Sequence, residues 1–332
     1  MLLYRLKEIL ADQPAYRYRQ AGEAIFQKLI SDWHEASNLP KEIREKLNQE
    51  FPLALDYKIF VDGRTQKAVL SLVDGETIET VLINNFDGRN TICISCQIGC
   101  PLGCGFCATG ASGFVRNLTA GEIVDQVLLF ARELHKIGER VDNVVFMGMG
   151  EPLLNLDNVF EAINLLNDKQ GFNIGARSIS VSTCGIPAGI RKIAAFPLQI
   201  NLAISLHAAT DSLRQELMPI AKEYRLSTLL AALNDYLSAK GRKLMVEYIM
   251  LRGINDGSED ADKLADLINQ LPKNLVMVNL IPYNPTGKFF PSSPKDMEHF
   301  KQILGRRGIE ATIRESLGGK VFGACGQLAR RR

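Results

Sequence analysis

CISCQIGCPLGCGFC, from Cys93 to Cys107, gathers five of the seven cysteines of a 332-residue chain into one short stretch. The other two, Cys184 and Cys325, lie far away in sequence. An odd number of cysteines, most of them crowded together, makes a poor disulfide framework. In a reducing cytosol such a crowd more often binds metal or does catalysis. Two spacings compete. Cys93-x2-Cys96 with Cys104-x2-Cys107 gives two paired knuckles, a plausible tetrahedral zinc site. Cys100-x3-Cys104-x2-Cys107 gives three thiolates, which on a cubane iron–sulfur cluster leave one iron open to a small molecule; electron carriers use four. Three features favour the second spacing. The loop joins the first strand of a long α/β alternation to a helix, whereas zinc knuckles sit on hairpins of small modules. Gly99, Gly103 and Gly105 suit a backbone wrapped closely around something bulky. Phe106, beside the last cysteine, would shield a cluster from solvent. Zinc stays the competing structural role.

On the N-terminal side, AGEAIFQKLISDW repeats apolar residues at helical spacing, and LPKEIREKLNQEF opens a second helix with Pro40 in its first turn. Residues 1–50 thus read as a helical module. YKIFVD, KAVLSLVD and IETVLI then alternate with period two, separated by Gly63 and Gly75, and predict a small β extension over 51–88. On the C-terminal side, strands and helices alternate through 89–315. LTAGEIVDQVLLFARELHKIG is a helix with Thr119 as N-cap and Glu122 completing a capping box. The alternation predicts parallel strands with crossover helices, an α/β fold in which a complete or partial barrel suits the length. In such folds the loops after the strands carry the chemistry. Here those strands end in GMGEP, STCG, SLHA and YNP. Residues 316–332 form a tail that carries Cys325.

Bulk numbers bound the partners. No apolar stretch approaches the roughly 20 residues of a membrane span, and Arg5, Lys7 and Glu8 interrupt the start where a signal peptide needs an apolar run. The expectation is a cytoplasmic protein without membrane association. A formal net charge of +2 neither demands nor excludes nucleic acid.

C-x3-C-x2-C with an aromatic before its last cysteine, after the first strand of a β/α array, resembles the radical S-adenosylmethionine superfamily. CISCQIGCPLGCGFCATG, FMGMGEPLLN, SLHA and ACGQL together are similar to the methyltransferases that modify adenine in 23S rRNA, a resemblance covering essentially the whole chain. It implies a partial (β/α) barrel behind an RNA-recognition module. It also implies a 4Fe-4S cluster on Cys100, Cys104 and Cys107. S-adenosylmethionine would be held by Gly150, Glu151, Ser182, Ser205, Leu206, His207 and Asn284. Cys325 would carry the methyl group, Cys93 would be the resolving thiol, and Glu79 the candidate proton acceptor. Taken singly, Cys325 would be an inert tail thiol, Glu79 a solvated strand charge, and Ser182 or His207 ordinary polar residues at strand ends.

The resemblance also implies a chemistry. The target adenine carbon lies between ring nitrogens and is no nucleophile, so a radical route is needed, with the radical chemistry belonging to the cofactor. Cys325 would first take a methyl group from one S-adenosylmethionine, and a second would activate that methyl for addition to the base. After loss of the base's proton, Cys93 would attack the Cys325 sulfur and release the product. The resulting disulfide needs a flavodoxin- or thioredoxin-like reducing system. The base would be presented flipped. The family has a C2 branch, acting on 23S rRNA and tRNA, and a C8 branch that confers antibiotic resistance; Pro152 in GEPLLN leans toward C2. Two departures stand out: Cys96 replaces an expected serine, and GGKVFGACGQL lacks the usual acidic residues. Rival readings are a radical enzyme acting on a peptide or small molecule, which would not need Cys93 or Cys325, and a zinc-dependent RNA-binding protein. Monomer is the default oligomeric state.

Overall fold

The computed structural model describes residues 2–329, with side chains from Arg5 onward. Three helices lead: α1 (Leu2–Ile9), α2 (Ala15–Phe26) and α3 (Lys41–Glu50). Trp33 is fully buried among them, and its indole donates to the Phe51 carbonyl at 2.7 Å. Pro40 sits at the N-cap of α3, where its missing N–H costs no helical hydrogen bond.

Ten strands form one sheet. An antiparallel meander comes first: β1 (Asp56–Asp62), β2 (Thr65–Ser71), β3 (Thr77–Asn84) and β4 (Asn90–Cys93). The expected β extension is therefore continuous with the barrel, since β3 pairs directly with β4. A separate two-stranded hairpin follows, β5 (Gln97–Gly99) with β6 (Phe114–Asn117). The rest of the large sheet is parallel: β4 pairs with β7 (Asn143–Phe146), and β8 (Ile179–Thr183), β9 (Asn201–Ser205), β10 (Leu244–Met250), β11 (Val276–Pro282) and β12 (Glu310–Ile313) follow in sequence order. Among the described residues no ladder joins β12 to β1, so the barrel is open.

After the short α4 (Ala108–Ala111), the crossovers are α5 (Ala120–His135), α6 (Leu156–Asn167), α7 (Pro187–Ala195), α8 (Asp211–Leu217), α9 (Leu226–Lys240), α10 (Ser258–Ile268) and α11 (Pro294–Arg306). Helix α5 begins as its sequence demands: Thr119 and Glu122 form the reciprocal capping box, satisfying two of the orphan amides of the first turn. Ile92, Val144, Phe146, Ile179, Val181, Leu202, Ile204, Leu244 and Val246 belong to the main apolar core under these helices.

Side chains alternate across a strand, so the other face looks into the barrel. The ladder register sets who meets whom there. Lys67, Val81, Cys93, Val145, Ser180 and Asn201 form one row across β2, β3, β4, β7, β8 and β9. Ser205, Glu247, Asn279 and Thr312 form another across β9 to β12. Their side chains link up: Asn279 donates to Glu247 and the Thr312 hydroxyl to Asn279, each at 2.8 Å. This polar lining, unusual beside the branched apolar fillers of closed barrels, is what makes the interior a site.

Candidate active site

The cysteine loop leaves the β5–β6 hairpin at Gly99, whose φ is +73° and where an added Cβ would lie 1.7 Å from the Gly113 oxygen. Only glycine fits that approach. Cys104, Leu102 and Phe106 then form a small apolar cluster with Ala208, Leu217, Met218 and Tyr283, against which Cys100, Cys107 and Cys184 pack. Phe106 stands edge-on to His207, with ring centroids 4.8 Å apart. Helix α8 clamps the loop from outside: the Gly105 amide donates to the Leu217 carbonyl at 2.9 Å. Burial pushes the Cys100 thiol up to about 12 and raises Cys107 as well. Both are thiols that must lose a proton to bind metal.

The paired zinc knuckles are not realised. Cys93 faces into the barrel, in a cluster with Val81, Met149 and Leu328, whereas Cys96 is part of the main core. Among the described residues no three His, Cys, Asp or Glu side chains converge on a point where one metal ion could sit. A cubane asks for something else, since each thiolate meets its own iron. Cys100, Cys104 and Cys107 on one glycine-containing loop, with Cys184 and Glu151 close enough to perturb Cys100 or be perturbed by it, suit that arrangement. The donor set is soft and the walls are apolar, which fits an iron–sulfur cluster.

The strand-end motifs gather around this loop. Gly150 has φ +103°, and a Cβ there would lie 2.6 Å from the Gln97 side chain. The buried Glu151 accepts from the Leu153 amide at 3.0 Å and from the Cys184 amide at 2.7 Å, while its own amide donates to Gln97. Burial raises its carboxyl above the usual range. Ser182 and Ser205 are half-buried on the inward face of β8 and β9. Leu206 and His207 follow, both buried, with amides donating to the Glu247 carbonyl. His207 has φ +60°, and its Nδ1 accepts from the Ile249 amide at 3.0 Å. Burial, aided by Arg214, lowers its pKa to about 3, so the ring is neutral.

The tail closes the ring. Cys325 is exposed at the mouth, and its carbonyl accepts from Asn284 Nδ2 at 3.1 Å. The other end of that amide accepts from the Ser316 hydroxyl. Asn284 thus ties the tail to the rim on which the other strand-end residues stand. Gly326 is pinned to the cysteine loop by the Ala108 amide at 2.8 Å, and Leu328 by the Thr109 hydroxyl at 2.5 Å. The walls of the mouth raise the Cys325 thiol; Glu247 adds to the effect and Arg314 opposes it. Cys93 is raised by burial and then by Cys325, and Cys107 acts in turn on Cys325. The structure thus brings Cys325 within electrostatic reach of both Cys93 and Cys107. Glu79 lies two residues from Val81, which pairs with Cys93, and so shares their face. Its Oε1 accepts from Lys67 Nζ at 2.8 Å and its Oε2 from the Ala329 amide at 3.0 Å.

Sequence reasoning passed over Lys67, Cys184, Arg214 and Glu247. The STCG strand end pointed to Cys184, and the ladder register of β2 points to Lys67; nothing local in the sequence marks Arg214.

Comparisons with known proteins agree with this geometry. The profile of the radical SAM superfamily matches residues 94–268. A Dictyoglomus thermophilum protein named "Probable dual-specificity RNA methyltransferase RlmN" is 44% identical over 320 residues, covering 95% of this chain and 91% of its own. A protein of the same name from Thermosipho melanesiensis is 46% identical over 322 residues, covering 96% and 93%. The crystal structure of a radical SAM methyltransferase from Sphaerobacter thermophilus superposes with a TM-score of 0.93 at 41% identity, covering 99% of this chain and 97% of that one.

Proposed function

The chain belongs to the radical S-adenosylmethionine superfamily and, within it, to the dual-specificity RNA methyltransferases, and from that premise we propose that it methylates C2 of an adenine in 23S rRNA and in tRNA, with Cys325 as methyl carrier. The observation that carries the reading is that the tail bearing Cys325 comes back to Cys93 and the cysteine loop, with Leu328 packed in the Cys93 cluster and hydrogen-bonded to Thr109, although the two thiols lie 232 positions apart (325 − 93). A radical enzyme for small molecules or peptides has no need of that pair.

Cys100, Cys104 and Cys107 would hold the 4Fe-4S cluster, and Gly150, Glu151, Ser182, Ser205, Leu206, His207 and Asn284 would frame S-adenosylmethionine. When bound, these groups supply the one-electron chemistry that an unreactive aromatic C–H carbon requires. The chain's own residues do the rest. Cys325, solvent-reached on a pinned tail, takes the methyl group as a thiolate and carries it to the base. Neutral His207 and Phe106 wall the cluster side from water. Glu79, which accepts from Lys67 and from the Ala329 amide, would take the proton of the target carbon. Cys93 then bonds to Cys325 as the methylated base departs. The disulfide is reset by a thioredoxin- or flavodoxin-like reductant. Residues 1–50 present RNA to the barrel 89–315, residues 51–88 supply Lys67 and Glu79, and 316–332 deliver Cys325, in a cytoplasmic monomer.

Cys93→Ala tests the order of events. With RNA, S-adenosylmethionine and reductant it should accumulate a covalent protein–RNA species on a denaturing gel, absent from Cys93→Ala/Cys325→Ala. Normal turnover by Cys93→Ala, with no such species, would overturn the scheme.

A further inference from the structure

Arg214, on α8, is shut off from solvent completely, at 0% exposure. Its Nη2 donates to the Cys184 carbonyl at 2.6 Å and its Nε to the Leu206 carbonyl at 3.3 Å. Its Nη1 is buried and has no partner. Among the described residues no carboxylate forms an ion pair with it. Burial pulls the guanidinium down, and the groups that act against this are the Cys184 and Cys104 thiols, then Asp211. Both carbonyls it grips belong to strand-end loops that border the cysteine loop, and the C-terminal end of its own helix holds Gly105. A dehydrated cation without a counter-anion is costly, and breaking rather than completing such a pair is what destabilises. The missing anion has an evident source. Three thiolates and the inorganic sulfides of a cluster carry net negative charge, and one-electron reduction adds more.

We propose that Arg214 is the built-in counter-charge of the cluster: its unpartnered Nη1 is the donor available to the sulfur on the Cys104 side, and its charge favours the reduced state. Arg214 is then a positioning residue that makes the cluster easier to reduce and touches neither RNA nor the methyl group. This rests on the assignment of Cys100, Cys104 and Cys107 as ligands. It gives a reason for a full charge in an otherwise apolar wall, and for α8 packing on the loop.

The test is an EPR-monitored redox titration of the reconstituted full chain, without S-adenosylmethionine, for the parent, Arg214→Lys and Arg214→Met. Removing one charge at the range of a neighbouring side chain should lower the equilibrium constant for reduction in Arg214→Met about 30-fold, roughly 90 mV at 59 mV per tenfold. Arg214→Lys should stay within about fivefold of the parent, since it keeps the charge and loses the fork. Loss of iron from Arg214→Met alone also supports the proposal; loss from both variants points to a purely structural role and overturns it. Unchanged potentials overturn it too, including the case in which only S-adenosylmethionine affinity falls, which would assign Arg214 to the cofactor's carboxylate. Full iron retention by Cys104→Ala would sink the ligand assignment instead, whatever Arg214 does.

Discussion

Replacing Lys67 with Met strips a counter-ion from the most deeply buried ion pair in the described structure. Lys67 and Glu79 expose 3% and 2% of their side chains, and Nζ lies 2.8 Å from Oε1. Every other ion pair described has at least one partner several times more open. Removing one member of such a pair costs about 3–5 kcal/mol, because the remaining charge stays buried. Unfolding entropy of about 2.1 cal/mol/K per residue comes to roughly 0.7 kcal/mol/K over 332 residues. The expected fall in melting temperature is therefore about 4–7 °C. Lys67→Met/Glu79→Gln removes both charges and leaves an amide oxygen for the Ala329 N–H. Neutral replacements of buried pairs are tolerated, so the double variant should melt within about 2 °C of the parent. Differential scanning calorimetry of the apoprotein reads both. A single variant that melts with the parent, or a double variant as unstable as the single, would refute the reasoning.

Other expectations follow from the same site. Cys96→Ser should leave iron per chain unchanged after anaerobic reconstitution while Cys104→Ala loses the cluster, because Cys96 is buried in the main core with its thiol on the Met149 carbonyl; colorimetric iron analysis decides. Protonation of His207 should couple to stability. Its folded pKa of about 3 lies below the unfolded 6.5, so the unfolded chain binds a proton that the fold refuses. This contribution is full above pH 6.5 and is lost as pH falls toward 3, at up to about 1.4 kcal/mol per unit. His207→Gln should lower the slope of urea stability between about pH 6 and 5 by up to one proton; identical slopes would mean that His207 is not the group.

What was legible in the sequence was what is local. The capping box of α5 needs only Thr119 and Glu122 three residues apart, and the cysteine spacing needs only one loop, so both could be read without a fold. The β5–β6 hairpin was not read, because FVRN is short and largely exposed and carries no clean alternation. The Lys67–Glu79 pair depends on how β2 and β3 are aligned, which puts Lys67 opposite Val81 and Val69 opposite Glu79. A one-residue slip would turn Lys67 to the other face. Arg214 was invisible for a related reason: its meaning lies in what α8 brings beside the cysteine loop. Asn284 was placed among the cofactor-binding positions by its motif; that its amide also ties the Cys325 carbonyl to the Ser316 hydroxyl depends on the tail's path and was not readable locally. The tail's own path was equally unreadable: the Lys320 amide donates to Asp62, and Phe322 stands half-exposed at φ +52°.

Under the proposed function, a methyl group reaches C2 of an RNA adenine by way of Cys325. Nucleoside mass spectrometry tests it most directly, on 23S rRNA and tRNA treated with the anaerobically reconstituted protein, S-adenosylmethionine and a reducing system. The parent should yield 2-methyladenosine and Cys325→Ala none. Appearance of 8-methyladenosine in its place, or of 2-methyladenosine from Cys325→Ala, would contradict it.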